Sequence, residues 1–215
     1  MRCIAASLGS LAPMLVDIGK RRIDGQDEVL LTFDDGPHPR TTPMLLDILA
    51  LHSAHAVFFL NGEHIVRYAA EARAIVDAGH VVANHGYRHT RWSGLSAHEI
   101  RESIEATEAL LNDLDSGRPH LVRAPYGRFP RRARVITRTL GLHPVAWNCM
   151  PYDFVERRSV PEMRTFLRRH IKGGAIVVLH ENDRTHSRLD ALTAAFFEIL
   201  HLKHLRTAEP RAIWQ

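Results

Sequence analysis

The sequence predicts an α/β fold, a mainly parallel sheet with helices packed outside it. Three observations carry that prediction. Apolar runs of strand length alternate with stretches of helical period along most of the chain, the pattern of repeated βα units. At 215 residues and 45% hydrophobic, the chain has enough apolar material for one full core and too little length for two comfortable domains. Finally, each loop leaving the C-terminal end of a strand carries an unusual polar group: Asp34 and Asp35, His85 and His89, Arg123, Asp153, His180. Ligands bind at that end of open α/β sheets and barrels, because its loops vary without disturbing the core. A sheet curled into a barrel would make these groups converge.

Residues 1–27 show no clear period and close on a polar run, Lys20 to Asp27, so they read as an N-terminal extension to one domain over 28–215. The regular pattern starts with Val29-Leu30-Leu31-Thr32-Phe33, a buried strand that ends in Asp34-Asp35-Gly36-Pro37. Pro43 to Leu51 has a helical apolar face opened by proline near its first turn, and Ala56 to Leu60 is the second strand. His64 to Ala78 has helical spacing and stops at Gly79, the residue that most easily takes the left-handed conformation at a helix end. Val81 to Ala83 is the third strand. Ser96-Ala97-His98-Glu99 is a capping box for a helix to about Leu114, and His120 to Arg123 is the fourth strand. Arg131 to Leu140 is a basic helix ending at Gly141, and Pro144 to Trp147 the fifth strand. Ser159-Val160-Pro161-Glu162 repeats the capping signature before a helix to about Ile171. Gly173-Gly174 breaks the chain ahead of its most apolar strand, Ala175 to Leu179. A last helix, about Leu189 to Leu202, precedes a weak strand near Leu205 to Ala208.

The formal net charge of +4 comes from arginine more than lysine, with clusters at Arg21-Arg22, Arg131-Arg132-Ala133-Arg134 and Arg168-Arg169. Such clusters suit anionic partners, but solvated helix faces account for them better, and no nucleic-acid partner is expected. The two cysteines, Cys3 and Cys149, are far apart and outside any Cys-x-x-Cys, so neither a disulfide framework nor a thiolate metal site is indicated. Any metal must be held by His and Asp. The apolar stretch Ile4 to Val16 is broken by Gly9, Ser10 and Pro13. It is too short to span a bilayer and a poor signal peptide, so no stable membrane insertion is expected and the reading leans cytoplasmic.

Two adjacent carboxylates at a strand end cannot share one strand face, since successive side chains point opposite ways, so they are free to take different jobs. Asp-Asp-Gly-Pro is also an ordinary turn sequence. Fifty residues on, Asn84-His85-Gly86-Tyr87-Arg88-His89 follows another strand, and one carboxylate with two imidazoles is a common ligand set for Zn²⁺ or a similar ion. With 15 His in the chain, one His-x-x-x-His pair is expected by chance; its place after a strand is what gives it weight. Taken singly, Arg123 reads equally as a surface charge and His180 as a core imidazole, while Asp153 reads sooner as a turn residue and Trp147 as core packing whatever the function.

Together these residues resemble the polysaccharide deacetylase family, the NodB-homology domains of carbohydrate esterase family 4, over roughly Glu28 to Leu202. Thr32-Phe33-Asp34-Asp35-Gly36-Pro37 is similar to the first family motif, which implies Asp34 as catalytic base and Asp35 as metal ligand. His85-Gly86-Tyr87-Arg88-His89 is similar to the second, with Gly86 where Ser or Thr is commoner; it implies His85 and His89 as the other ligands. Arg123-Ala124-Pro125-Tyr126-Gly127 resembles the third, where the arginine orients the base and the backbone N–H at Tyr126 helps bind an oxyanion. Trp147 to Phe154 stands in place of the fourth. There Asp153 would tune the catalytic histidine, while Asn148, Met150 and Phe154 depart from the usual residues. Val178-Leu179-His180 resembles the fifth, with His180 as general acid, Val178 and Phe154 shaping the acetyl pocket, and Glu181 where Asp is common.

The resemblance implies an irregular, incomplete (β/α)7 barrel. It also implies one divalent metal, usually zinc with cobalt or nickel as alternatives, a carbohydrate substrate, and hydrolysis of sugar N-acetyl groups. An O-acetyl glycan esterase, a small-molecule amide hydrolase and a non-catalytic glycan-binding homologue are the competing readings. Oligomeric state is not read from the sequence.

Overall fold

The longest strand, β2 (Gln26–Asp34), is the axis of the molecule in a computed structural model that describes residues 19, 22–23 and 25–214. Cys3, the apolar stretch over 4–16 and most of the N-terminal extension lie outside the described residues. Ahead of β2, β1 (Arg22–Ile23) pairs with it antiparallel, so the start of the sheet falls inside the stretch read as an extension. The chain then runs through α1 (Thr41–Leu51), β3 (Val57–Leu60), α2 (Gly62–Arg67), α3 (Ala69–Asp77), β4 (Val81–Asn84), α4 (Ala97–Leu114) and β5 (Leu121–Val122). It continues through α5 (Arg131–Thr139), β6 (His143–Pro144), α6 (Val160–His170), β7 (Ile176–His180), α7 (Leu189–Leu202), β8 (Leu205–Thr207) and α8 (Pro210–Ile213).

Apart from β1, all pairings in the sheet are parallel. β2 takes β3 along Thr32–Asp34, β7 along Leu30–Asp34 and β8 along Asp27–Val29, while β3, β4, β5 and β6 follow in order. The sheet curls back on itself: a single parallel bridge joins Cys149, just beyond β6, to Val177 in β7. This thin closure makes the barrel irregular. β6 is two residues long, with the Val145 amide still donating to the Val122 carbonyl at 2.9 Å, so only the start of the predicted strand Pro144 to Trp147 forms. Beyond Val145 the chain crosses to β7, where Asn148 Oδ1 accepts from the Ile176 amide at 3.0 Å.

Alternation along the strands sorts the core. Leu31, Phe33, Phe58, Val177 and Leu179 face outward under α1, α6 and α7, while Leu30, Val57, Phe59, Val81, Ala83, Leu121 and Ile176 fill the barrel interior. A third apolar cluster, including Ile100, Ile104, Val122 and Ile136, seats α4 and α5. Both predicted capping boxes form: Ser96 with Glu99 and Ser159 with Glu162 exchange reciprocal bonds. The helix expected over His64 to Ala78 is two helices, broken at Tyr68, whose backbone angles (φ −128°, ψ 53°) are not helical. No helix among the described residues is long and apolar enough to cross a membrane.

Candidate active site

β2 ends at Asp34, and Asp35 takes φ of 79°. Asp is among the few non-glycine residues that enter this left-handed region readily. The turn breaks the alternation that would send the two carboxylates apart, so both line one cleft of about 540 Å³. His85, His89, Tyr126, Trp147, Phe154 and His180 line the same cleft. All of these follow the C-terminal ends of strands, which is where the barrel gathers them.

Ligand atoms of Asp35, His85 and His89 lie within 4.8 Å of one another. Asp35 Oδ1 stands 3.5 Å from His85 Nε2 and 3.2 Å from His89 Nε2. It is buried and has no hydrogen-bond partner, an unsatisfied acceptor whose cost a cation would remove. His85 Nδ1 donates to the Arg123 carbonyl at 2.9 Å. A carbonyl only accepts, so the proton sits on Nδ1 and the Nε2 lone pair is left toward Asp35, the arrangement a metal-binding imidazole needs. Burial pulls the His89 pKa below its usual value against the opposing charge of Asp35, which favours the neutral ring that ligates. Burial works to raise Asp35, but the imidazoles of His180, His85 and His89 hold it below the usual carboxylate range. These residues fit a divalent cation. Truncation of His85 to alanine is expected to abolish stoichiometric zinc binding, read by elemental analysis after dialysis; full retention of metal would remove this triad from consideration.

Asp34 sits beside the triad with its oxygens divided. Arg123 Nη1 donates to Oδ1 at 2.6 Å, and Oδ2 faces His85 Nε2 at 4.0 Å. Arg123 is fully buried, and its Nη1 also reaches Thr32 Oγ1 at 2.8 Å. Its Nε donates to the Val145 carbonyl at 3.3 Å and Nη2 to that of Ala146 at 3.1 Å. The guanidinium lies 3.9 Å over the Phe59 ring. Burial lowers the arginine pKa and the Asp34 charge opposes it. The reading of Arg123 as a surface charge is excluded.

On the neighbouring strand, His180 Nδ1 bonds Asp153 Oδ1 at 2.8 Å, and the His180 amide donates to Asp153 Oδ2 at 2.7 Å. Burial alone would lower the imidazole, but Asp153, with Asp35 and Asp34 adding, raises it to about 9. His180 therefore carries a proton at neutral pH, with Nε2 left as the donor not used by Asp153. β7 and β2 pair with Asp34 opposite His180, so the sheet register itself sets the carboxylate and the imidazole side by side.

Phe154 packs edge-on to His180 at 4.9 Å, and Tyr126, at φ 59°, holds its ring 4.4 Å from His89. Gly127 follows in the same left-handed region, and a Cβ there would collide with the Trp147 ring. Val178 is fully buried in β7 and does not line the cleft; it shares the inward face with His180 one layer deeper, because residues i and i+2 point the same way. Trp147 packs on the interior cluster and also lines the cleft. The structure adds cleft residues with no sequence signal of their own: Asn61, His64, Arg91, Asn182, Asp183 and Arg184. Glu181, which the fifth-motif resemblance picks out, lies behind the wall and does not line the cleft. Its Oε1 accepts from Thr41 and Thr42, its amide donates to the Asp34 carbonyl at 2.8 Å, and burial pushes its carboxyl up to about 8 against those hydroxyl bonds.

Residues 21–145 match the family model described as polysaccharide deacetylase. A chitooligosaccharide deacetylase of Bradyrhizobium sp. (strain ANU 289) is 34% identical over 160 residues, 74% of this chain and 73% of that protein. The solved structure of the Bc1960 peptidoglycan N-acetylglucosamine deacetylase superposes with a TM-score of 0.81 at 28% identity, covering 88% of this chain and 89% of that one. A family 4 carbohydrate esterase from Streptomyces lividans, solved with acetate, gives 0.76 at 28% identity over 85% and 92%. The family match spans more than half the chain and includes the Asp-Asp turn and the histidine loop, and the shared fold covers 85–88% of it: the chain belongs to the polysaccharide deacetylase family.

Proposed function

We propose that the protein hydrolyses the N-acetyl groups of N-acetylglucosamine-containing glycans, of the chitooligosaccharide or peptidoglycan type, to free amine and acetate. The observation that carries the reading is the placement of a three-ligand cation site between a carboxylate held by a buried arginine and an imidazole held by a buried carboxylate. The names of its relatives, chitooligosaccharide and peptidoglycan N-acetylglucosamine deacetylases, support the substrate class.

In this reading Asp35, His85 and His89 hold one divalent cation, zinc first, with cobalt or nickel as alternatives. When bound, such an ion polarises an amide carbonyl and lowers the pKa of water from 15.7 to about 7. Asp34 Oδ2, the oxygen Arg123 leaves free, takes a proton from the attacking water. His180 Nε2 gives a proton to the leaving nitrogen, so the sugar departs as an amine and the acyl group as acetate. Each such proton transfer is worth roughly 10² to 10⁴ in rate. Tyr126 and Phe154 form apolar walls about the reacting acetyl group, with the Tyr126 backbone N–H as the oxyanion donor. We assign the catalytic unit to one domain that includes β1 and all of β2, and so begins ahead of residue 28.

The test is acetate release by the zinc-loaded protein from N-acetylated chito-oligosaccharides, peptidoglycan fragments and O-acetylated xylan. Release from an N-acetylated glycan that stops on chelation and returns with zinc is expected. Silence on every N-acetylated glycan while metal is bound would overturn the proposal, and turnover of xylan alone would make the protein an esterase.

A further inference from the structure

The two carboxylate oxygens of Asp35 have different surroundings. Oδ1 has no hydrogen-bond partner and faces the two imidazoles, whereas Oδ2 accepts from Asn182 Nδ2 at 2.7 Å. Asn182 lies two residues past His180, in the loop after β7, outside every motif that marks the site in sequence. Its side chain is pinned at its other end as well: Oδ1 accepts from the Arg184 amide at 2.9 Å. An amide N–H only donates, so the oxygen of the carboxamide must point to Arg184 and the NH₂ group to Asp35. The loop is itself tied down, since the Asn182 amide donates to Thr185 Oγ1 at 3.2 Å and the Thr185 hydroxyl reaches the His180 carbonyl at 2.5 Å.

We infer that Asn182 is a positioning residue for the metal site, holding Asp35 by Oδ2 so that Oδ1 stays turned toward His85 and His89. The inference rests on the reading of Asp35, His85 and His89 as ligands. Three physical points support it. The terminal torsion of an Asp side chain is a broad, soft rotor, so a ligand carboxylate without a second bond must be ordered when the cation arrives. A neutral carboxamide fixes the carboxylate without cancelling the negative charge that attracts a cation, which a lysine or arginine at this position would do. Finally, hydrogen-bond partners of metal ligands commonly matter to affinity nearly as much as the ligands' own orientation.

The experiment is zinc titration of the full chain against a chromophoric chelator, with the visible absorption of the Co²⁺-loaded protein as a second readout. Asn182→Ala removes both side-chain bonds. Asn182→Ser keeps an oxygen that can serve the Arg184 amide but is too short to reach Asp35, so it separates holding the ligand from shaping the turn. Both variants are expected to bind zinc about 10- to 100-fold more weakly than the unsubstituted chain and to change the intensity of the Co²⁺ bands. Wild-type affinity and an unchanged cobalt spectrum in Asn182→Ser would overturn the inference, leaving only a turn-forming role. Should Asn182→Ala not fold, Asn182→Ser decides. Failure of the unsubstituted chain to bind zinc would instead overturn the reading of the triad, a result distinct from loss confined to the variants.

Discussion

Asp34→Asn is expected to lower kcat for acetate release by at least about 100-fold while zinc content stays stoichiometric. Asparagine matches the carboxylate in shape, and its Oδ1 can still accept from Arg123 Nη1, which now reaches Asp34 at 2.6 Å. What changes is the second position. Oδ2 of Asp34, 4.0 Å from His85 Nε2, becomes an NH₂ group, which cannot take a proton from water. The ligands Asp35, His85 and His89 are untouched, so binding and chemistry separate in this variant. There is also an expected cost in stability. Arg123 is fully buried, and removing the charge of the carboxylate it pairs with among the described residues leaves a buried cation uncompensated, typically a loss of about 3–5 kcal/mol. Metal analysis, circular dichroism and single-turnover acetate release on the same sample distinguish the effects. Activity within a few-fold of the unsubstituted enzyme in a folded, zinc-replete variant would remove Asp34 from the role of base.

The sequence shows much of this site because a parallel βα array leaves so few choices. Apolar runs of strand length locate β2, β3, β4 and β7, and the residues just beyond them fall at one mouth of the sheet. Asp34, His85, Arg123 and His180 were therefore findable by position. What stayed hidden depends on backbone angles or on contacts between loops. Nothing in Asp34-Asp35 announces that Asp35 is left-handed, yet that angle brings the two carboxylates together. The period of residues 64–78 is helical throughout, and the break at Tyr68 leaves no mark on it. β6 is only two residues long, and closure of the barrel passes to Asn148 and Cys149, positions without strand pattern. Asn182 meets Asp35 across 147 residues of chain, and neither neighbour in sequence points to the other. Trp147 shows the opposite error: a large aromatic reads as packing, which it is, but the same ring also walls the cleft.

Asp153→Asn tests the other half of the proton path, and its expected effect is of similar size. Asp153 uses both oxygens on one residue, Oδ1 for His180 Nδ1 and Oδ2 for the His180 amide. Asparagine has one acceptor for these two donors. If its oxygen keeps the amide, its NH₂ group faces Nδ1 and disfavours the doubly protonated ring; if it keeps Nδ1, a buried amide is left unpaired and the negative charge is still gone. Either way the imidazolium loses the partner that, with Asp35 and Asp34, raises its pKa to about 9 against the pull of burial. In the proposed mechanism the protonated ring is the acid, so activity of the unsubstituted enzyme is expected to fall as pH rises through the His180 pKa. A bound cation repels that proton, which puts the alkaline limb of kcat below about 9. In Asp153→Asn the limb moves further toward acid, and kcat at pH 7 to 8 drops by roughly 10² to 10⁴. Stability follows the same sign: a folded pKa above the unfolded value of 6.5 stabilises the fold fully below pH 6.5, and that contribution disappears as pH rises through about 9. Melting temperatures of the metal-free protein from pH 6 to 10 are thus expected to lose this pH-dependent contribution in Asp153→Asn. An alkaline limb that stays in place in the variant would show that His180 is not the group that titrates in catalysis.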